Sequence, residues 1–235
     1  MSNFAKEIHS DLKKAADRKT KKSFQRFFKK PVKCHGVKGK NVDKIAADYW
    51  KKIAHLPKKQ IFEICEELYR SDYAEEAAIV AFWGTKFNKF TTPKDLAVFK
   101  KWINKYVNNW AKCDGFCNHT IGDFVQKFPD SIKEIKSWGE SNNGWMRRAS
   151  AVSLIIPAKR GKLLKDVFEI ADTLLLDDDE MVQKGYGWLL KEASRLNVKP
   201  VFDYVMKKKS IMPRTALRYA IELMPANLKL KAMRK

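Results

Sequence analysis

Residues 41–54 read NVDKIAADYWKKIA, and their spacing decides the fold class. Val42, Ile45, Ala46, Tyr49, Trp50, Ile53 and Ala54 fall at i, i+3, i+4, i+7, i+8, i+11 and i+12, one continuous face of an α-helix. Pro57 opens a second helix, whose face is Ile61, Phe62, Ile64, Cys65, Leu68 and Tyr69. The pattern recurs along the chain. Helices are expected at about 74–90 and 94–108, at about 111–127 and 130–140, at about 145–158 and 163–175, and at about 179–195 and 200–208, with a last one after Pro213. No stretch alternates apolar and polar residues for long enough to make a strand. First helices begin near 41, 75, 111, 145 and 179, about 35 residues apart. Such short pairs cannot bury their apolar faces alone and must stack. The expectation is an all-α superhelical solenoid with a concave face, one domain over residues 1–235, since no Gly/Ser linker divides it. An irregular helical bundle is the alternative.

The chain holds 48 Lys+Arg against 27 Asp+Glu, a net charge of +21. Residues 1–60 carry 18 of the basic and 5 of the acidic side chains. Such an excess points to a polyanion, nucleic acid before a membrane surface, because no basic helix shows a wide exposed aromatic face. Lys6, Glu7 and Asp11 interrupt any signal-peptide core. The longest uncharged apolar run, Ala149 to Ala158, is too short to span a bilayer. A cytoplasmic, nucleoid-associated protein is expected. Four cysteines make no disulfide framework. Cys113 and Cys117, with His119 nearby, lack the paired spacing of a zinc site and are read as buried thiols. Asp177-Asp178-Asp179-Glu180 is read as a helix cap and no metal is expected there.

Three places put tryptophan and charge within a turn or two. They are Trp110 with Asp114, Trp145 with Arg147 and Arg148, and Trp188 between Lys184 and Lys191. An i,i+4 spacing sets Trp110 and Asp114 on one face. Each falls in the first helix of a pair, and equivalent helices of a solenoid line one surface. Taken singly, each has a plainer reading: core tryptophans, a capping or turning Asp114 before Gly115, and arginines paired across a repeat. Taken together with the charge, they favour a binding groove.

In these residues the chain resembles the AlkD-type DNA alkylation-repair glycosylases, which are HEAT-like helical-repeat proteins. The resemblance runs from Arg26-Phe27-Phe28 and His35-Gly36-Val37 to the C-terminal helices. Its most specific pieces are W-x-x-x-D at Trp110/Asp114, W-x-x-R at Trp145/Arg148, and Q-K-x-x-G-W-x-L-x-E from Gln183 to Glu192. It implies excision of cationic N3- or N7-alkylated purines, such as 3-methyladenine and 7-methylguanine, from double-stranded DNA without a cofactor. It also implies that Asp114 is the catalytic carboxylate, that Trp110 and Trp188 contact the deoxyribose, and that Arg148 holds a phosphate. Arg147, Lys191, Phe27, Arg26, Lys159 and Arg160 join it as DNA-binding residues. Lys191 stands where relatives commonly carry Arg, and Phe27 where a relative carries Tyr, exchanges that lose a bidentate fork and a hydroxyl. A monomer is expected. The other readings are a DNA-binding relative without chemistry that recognises branched or distorted duplex, and a helical-repeat scaffold for an acidic protein.

Overall fold

The computed structural model describes residues 2–234, and among them every regular element is helical. The chain divides into two compact units, with the division between Phe116 and Cys117. The first unit holds α1 (Asn3–Lys14), α2 (Arg18–Gln25), α3 (Gly39–Ile53), α4 (Lys58–Arg70), α5 (Ala74–Phe87), α6 (Leu96–Tyr106) and α7 (Trp110–Phe116). The second holds α8 (Gly122–Lys127), α9 (Ile132–Ser137), α10 (Gly144–Val152), α11 (Ile155–Lys159), α12 (Leu164–Thr173), α13 (Glu180–Ala193), α14 (Val198–Lys208), α15 (Arg214–Ala220) and α16 (Ala226–Met233).

Helices α1, α3, α5, α7, α10, α13 and α15 start about 35 residues apart, from Asn3 to Arg214. In the first unit α1 packs on α3, α3 on α5 and α5 on α7, while α4 packs on α6. In the second, α10 packs on α13, α13 on α15, and α9 on α12. First helices therefore stack on first helices and second on second, which is the two-layer packing of HEAT-like repeats. The bonds joining layers obey the same step. The Trp83 indole donates to Ala46 O at 2.7 Å (α5 to α3), and Lys101 and Tyr106 of α6 reach Glu66 of α4. Lys136 of α9 reaches Asp166 and Glu169 of α12, and the Tyr204 hydroxyl of α14 donates to Asp172 at 2.9 Å. The core of the first unit is aromatic: Phe62, Phe87, Phe99, Trp102 and Phe116 meet mostly edge-on or tilted, with Phe87 stacked on Phe99.

Two of the expected helices are broken. The segment over 145–158 becomes α10 and α11, with a turn at Ser153-Leu154. Pro157 has no N–H to offer the Ser153 carbonyl, so α10 does not continue into it and Pro157 sits instead in the first turn of α11, where that bond is not needed. The segment over 111–127 becomes α7, a π-helical turn at Cys117–Ile121, and α8. Helices α1, α2 and α16 add to the expected set. No helix among the described residues is long and apolar enough to cross a membrane.

Candidate nucleic-acid interface

Of the seven tryptophans, Trp83, Trp102 and Trp138 are core, while Trp110, Trp145 and Trp188, with Trp50, remain half-exposed. The three that share a turn with charge are thus not explained by core packing. Trp110 begins α7 and Asp114 follows one turn later, both half-exposed, while Lys112 and Cys113 between them are buried. Asp114 lies inside the helix, so it neither caps nor turns the backbone there. Lys112 points into the protein: its side chain is 1% exposed and its ammonium meets Asp72. Asn108 donates to the same Asp72 carboxylate at 2.8 Å. Burial alone would raise the Asp72 pKa, but the Lys112 and Asn108 hydrogen bonds hold it below the usual carboxylate value.

The basic segment 18–38 is fastened beside this indole. Asp17 caps α2 by accepting from Thr20 N at 2.8 Å. Gly36, at φ +97°, lies so close to α2 that a Cβ would come within 2.6 Å of Lys21 Cβ. Glu75 accepts the backbone N–H groups of His35, Gly36 and Val37 at 3.0, 2.7 and 3.1 Å. The His35-Gly36-Val37 motif is therefore a backbone clasp. It leads the chain so that Phe28 stacks on Trp110, centroids 5.2 Å apart and planes 18° from parallel, while the Phe27 carbonyl accepts the indole N–H at 3.3 Å. The Phe27 ring and Arg26 are exposed.

The second unit carries the remaining candidates. Arg147 donates to both oxygens of Asp177, at 2.6 and 3.2 Å, and to the Ser141 carbonyl at 3.0 Å. Pairing across a repeat, the plainer reading, describes this arginine. Arg148 is buried, donates to the Met181 carbonyl and lies against Gly185 of α13. Trp188 donates to Glu192 at 3.3 Å, and Lys191 bonds Glu222 at 3.1 Å. Burial would raise the Glu192 carboxyl, but Arg195, Trp188 and Lys191 keep it below its ordinary value. Lys159 and Arg160 are exposed at the end of α11, and Arg160 donates to Gln126 at 3.2 Å. Asp179 caps α13 by accepting from Met181 N at 2.7 Å, which is how the acidic run 177–180 is used. Gly187, in the Gln183–Glu192 motif, serves packing: a Cβ there would meet Tyr219 Cβ at 2.7 Å and Ala216 O at 2.8 Å on α15. All four cysteines are buried thiols outside any disulfide.

A family model described as "DNA alkylation repair enzyme" matches residues 8–224. The chain belongs to that family. Membership gives it a role in DNA repair and makes DNA its partner. No curated protein matches it in sequence. Among solved structures it is similar to a predicted DNA alkylation repair enzyme from Enterococcus faecalis. The TM-score is 0.81 at 15% identity over 90% of this chain and 97% of that one. It is also similar to AlkD2 from Streptococcus mutans, with a TM-score of 0.60 at 20% identity over 88% of this chain and 97% of the other. The smu.31 protein of Streptococcus mutans UA159 gives 0.60 at 18% identity over 97% and 98%. At these identities the likeness is one of fold.

Proposed function

We propose that this repair-family protein is a DNA glycosylase that releases cationic N3- or N7-alkylated purines, such as 3-methyladenine and 7-methylguanine, from duplex DNA. The single observation that carries the reading is the sorting of charge on α7, where the cation Lys112 is buried against Asp72 while the carboxylate Asp114 stands half-exposed one turn from the half-exposed Trp110. An alkylated purine already bears positive charge, so it departs as a neutral base and needs no general acid. What needs stabilising is the sugar, which becomes oxocarbenium-like. Asp114 supplies negative potential to that sugar and orients or deprotonates the attacking water. The indole of Trp110, held by Phe28 on one side, offers its other face to the same developing cation. Trp188, half-exposed on α13 of the second unit, is the other indole this reading assigns to DNA contact. The resemblance assigns Arg148 to a backbone phosphate; its side chain is buried, with the guanidinium on the Met181 carbonyl and against Gly185. The exposed Arg26 and Phe27 in the first unit, and Lys159 and Arg160 in the second, add DNA contacts. In this reading the protein acts as a monomer and without a cofactor.

The pairing of Arg147 with Asp177 and of Lys191 with Glu222 gives a specific reason to keep a second reading, a DNA-binding protein without base excision. Heavily methylated duplex DNA incubated with wild-type protein decides between them. Free 3-methyladenine or 7-methylguanine is expected in the supernatant. Tight DNA binding with no free base, for wild type and Asp114→Asn alike, supports the second reading instead.

A further inference from the structure

His9 of α1, His35 of the clasp segment and Glu76 of α5 converge at a single point in the first unit. His9 Nδ1 lies 2.8 Å and His35 Nε2 3.0 Å from the same carboxylate oxygen, Glu76 Oε1, and one donor atom from each of the three residues lies within 4.8 Å of the other two. Glu76 has no exposed surface and His35 is 8% exposed. The other carboxylate oxygen, Glu76 Oε2, is buried and accepts no hydrogen bond. The Ser71 hydroxyl, which also favours the ionised Glu76, donates to Leu68 O at 2.7 Å. A buried carboxylate oxygen without a partner is costly, and a cation is what would satisfy it.

We propose that His9, His35 and Glu76 form a site for a divalent transition metal of the zinc class, separate from the DNA interface and independent of the glycosylase reading. Two imidazoles and one carboxylate are a donor set zinc favours, at about 2.0–2.2 Å from each atom. A tetrahedral ion at those lengths sets its donors about 3.4 Å apart, so the two imidazole nitrogens draw in by about 1.4 Å at most while each opens slightly from the Glu76 oxygen. His9 can supply that movement, because its side chain is 36% exposed. The same exposure gives the ion an entry path and a place for a fourth ligand, water. His35 is already oriented: its ring stacks on Tyr73 at 3.9 Å, and its backbone N–H is held by Glu75. The ligands come from α1, from the segment that leads Phe28 to Trp110, and from the first turn of α5. A bound ion would therefore stiffen the N-terminal repeat by joining three elements far apart in sequence. Expression in zinc-free medium would leave the hydrogen-bonded triad in its place.

Full-length protein stripped with a chelator is titrated with Zn2+ alone, and separately with Co2+, while its thermal midpoint is followed. Uptake of one Zn2+ per chain is expected, with a raised midpoint. The Co2+ form should show d–d bands of nitrogen and oxygen ligation and no thiolate charge transfer, which excludes the cysteines. His9→Ala should weaken Zn2+ by at least about 100-fold, since it removes a ligand rather than its support. His9→Gln, which keeps a hydrogen bond to Glu76, serves if the alanine variant does not fold, and should lose the zinc just as fully. DNA affinity of the metal-free protein should match that of the zinc form. No stoichiometric uptake by wild type, or unchanged Zn2+ affinity in the folded His9 variant, overturns the site.

Discussion

Helix α7 and the pair α10–α13 dispose of their charges in opposite ways. On α7 the cation is buried: Lys112 meets Asp72 inside the first unit, and the carboxylate Asp114 stands half-exposed near an indole. On α10 and α13 the cations are tied into the scaffold. Arg147 grips Asp177, Arg148 is buried against Met181 and Gly185, and Lys191 meets Glu222. The first unit thus sets a half-exposed carboxylate one turn from an indole in a chain whose net charge is +21, while Asp177 and Glu222 of the second unit pair with cations across repeats. The lesson is that composition announces a polyanion partner but does not say where chemistry sits. That follows from which sign of charge is buried. The comparison predicts a separation: changes at the half-exposed Asp114 of α7 should cost rate and spare stability, and changes on α10 and α13 should cost stability first.

The largest effect expected is on rate. Asp114→Asn should slow base release by about 10²–10³-fold, the usual loss when a group aimed at developing charge is neutralised, with an unchanged thermal midpoint. Loss of rate and stability together would erase the contrast between the regions. Next is Gly187→Ala, which forces a Cβ into the backbone of α15 at Ala216 O, 2.8 Å away. Overpacking of that kind should cost about 2–3 kcal/mol in a urea melt, while base release at low temperature stays near wild type. Asp72→Asn should cost about 1–2 kcal/mol, discounted because the Asp72 side chain is 49% exposed, since it leaves the buried Lys112 ammonium without its counter-charge. Because the folded-state pKa of Asp72 lies below its ordinary 3.8, its contribution is complete above that pH. It drains away as pH falls through the lowered value. Wild type and Asp72→Asn should therefore converge in acid melts and differ at neutral pH. The smallest effect is Arg26→Ala: about one unit less in the slope of log K against log salt for DNA binding, with stability untouched.

Much of this was legible in the sequence, for reasons that particular residues show. The 41–54 face and its recurrence gave the stacked pairs, because apolar spacing directly reports which side of a helix is buried. Three of the half-exposed tryptophans, Trp110, Trp145 and Trp188, were also readable, since each shares a turn with charge, whereas Trp50 was read as part of the buried 41–54 face. Helix α1 had a readable signal, Ala5, Ile8 and Leu12 on one face, hidden among charges. Helix α2 had none, because it buries no residue and is held by its Asp17 cap and the approach of Gly36. The break in α10–α11 was written in Pro157. What spacing could not show was side-chain pairing across repeats: Arg147 with Asp177, Lys112 with Asp72, and the convergence of His9, His35 and Glu76 across 67 residues. Such pairs depend on the stacking step, and no local pattern records it.

The central claim is that a carboxylate on α7 drives loss of a damaged base. A duplex carrying one 7-methylguanine, followed under single turnover for free base and in parallel for binding, tests it most directly. The account predicts prompt release by wild type, release slowed by orders of magnitude in Asp114→Asn, and the same DNA affinity for both. Equal release by the two proteins, or none by wild type at saturating binding, would contradict it.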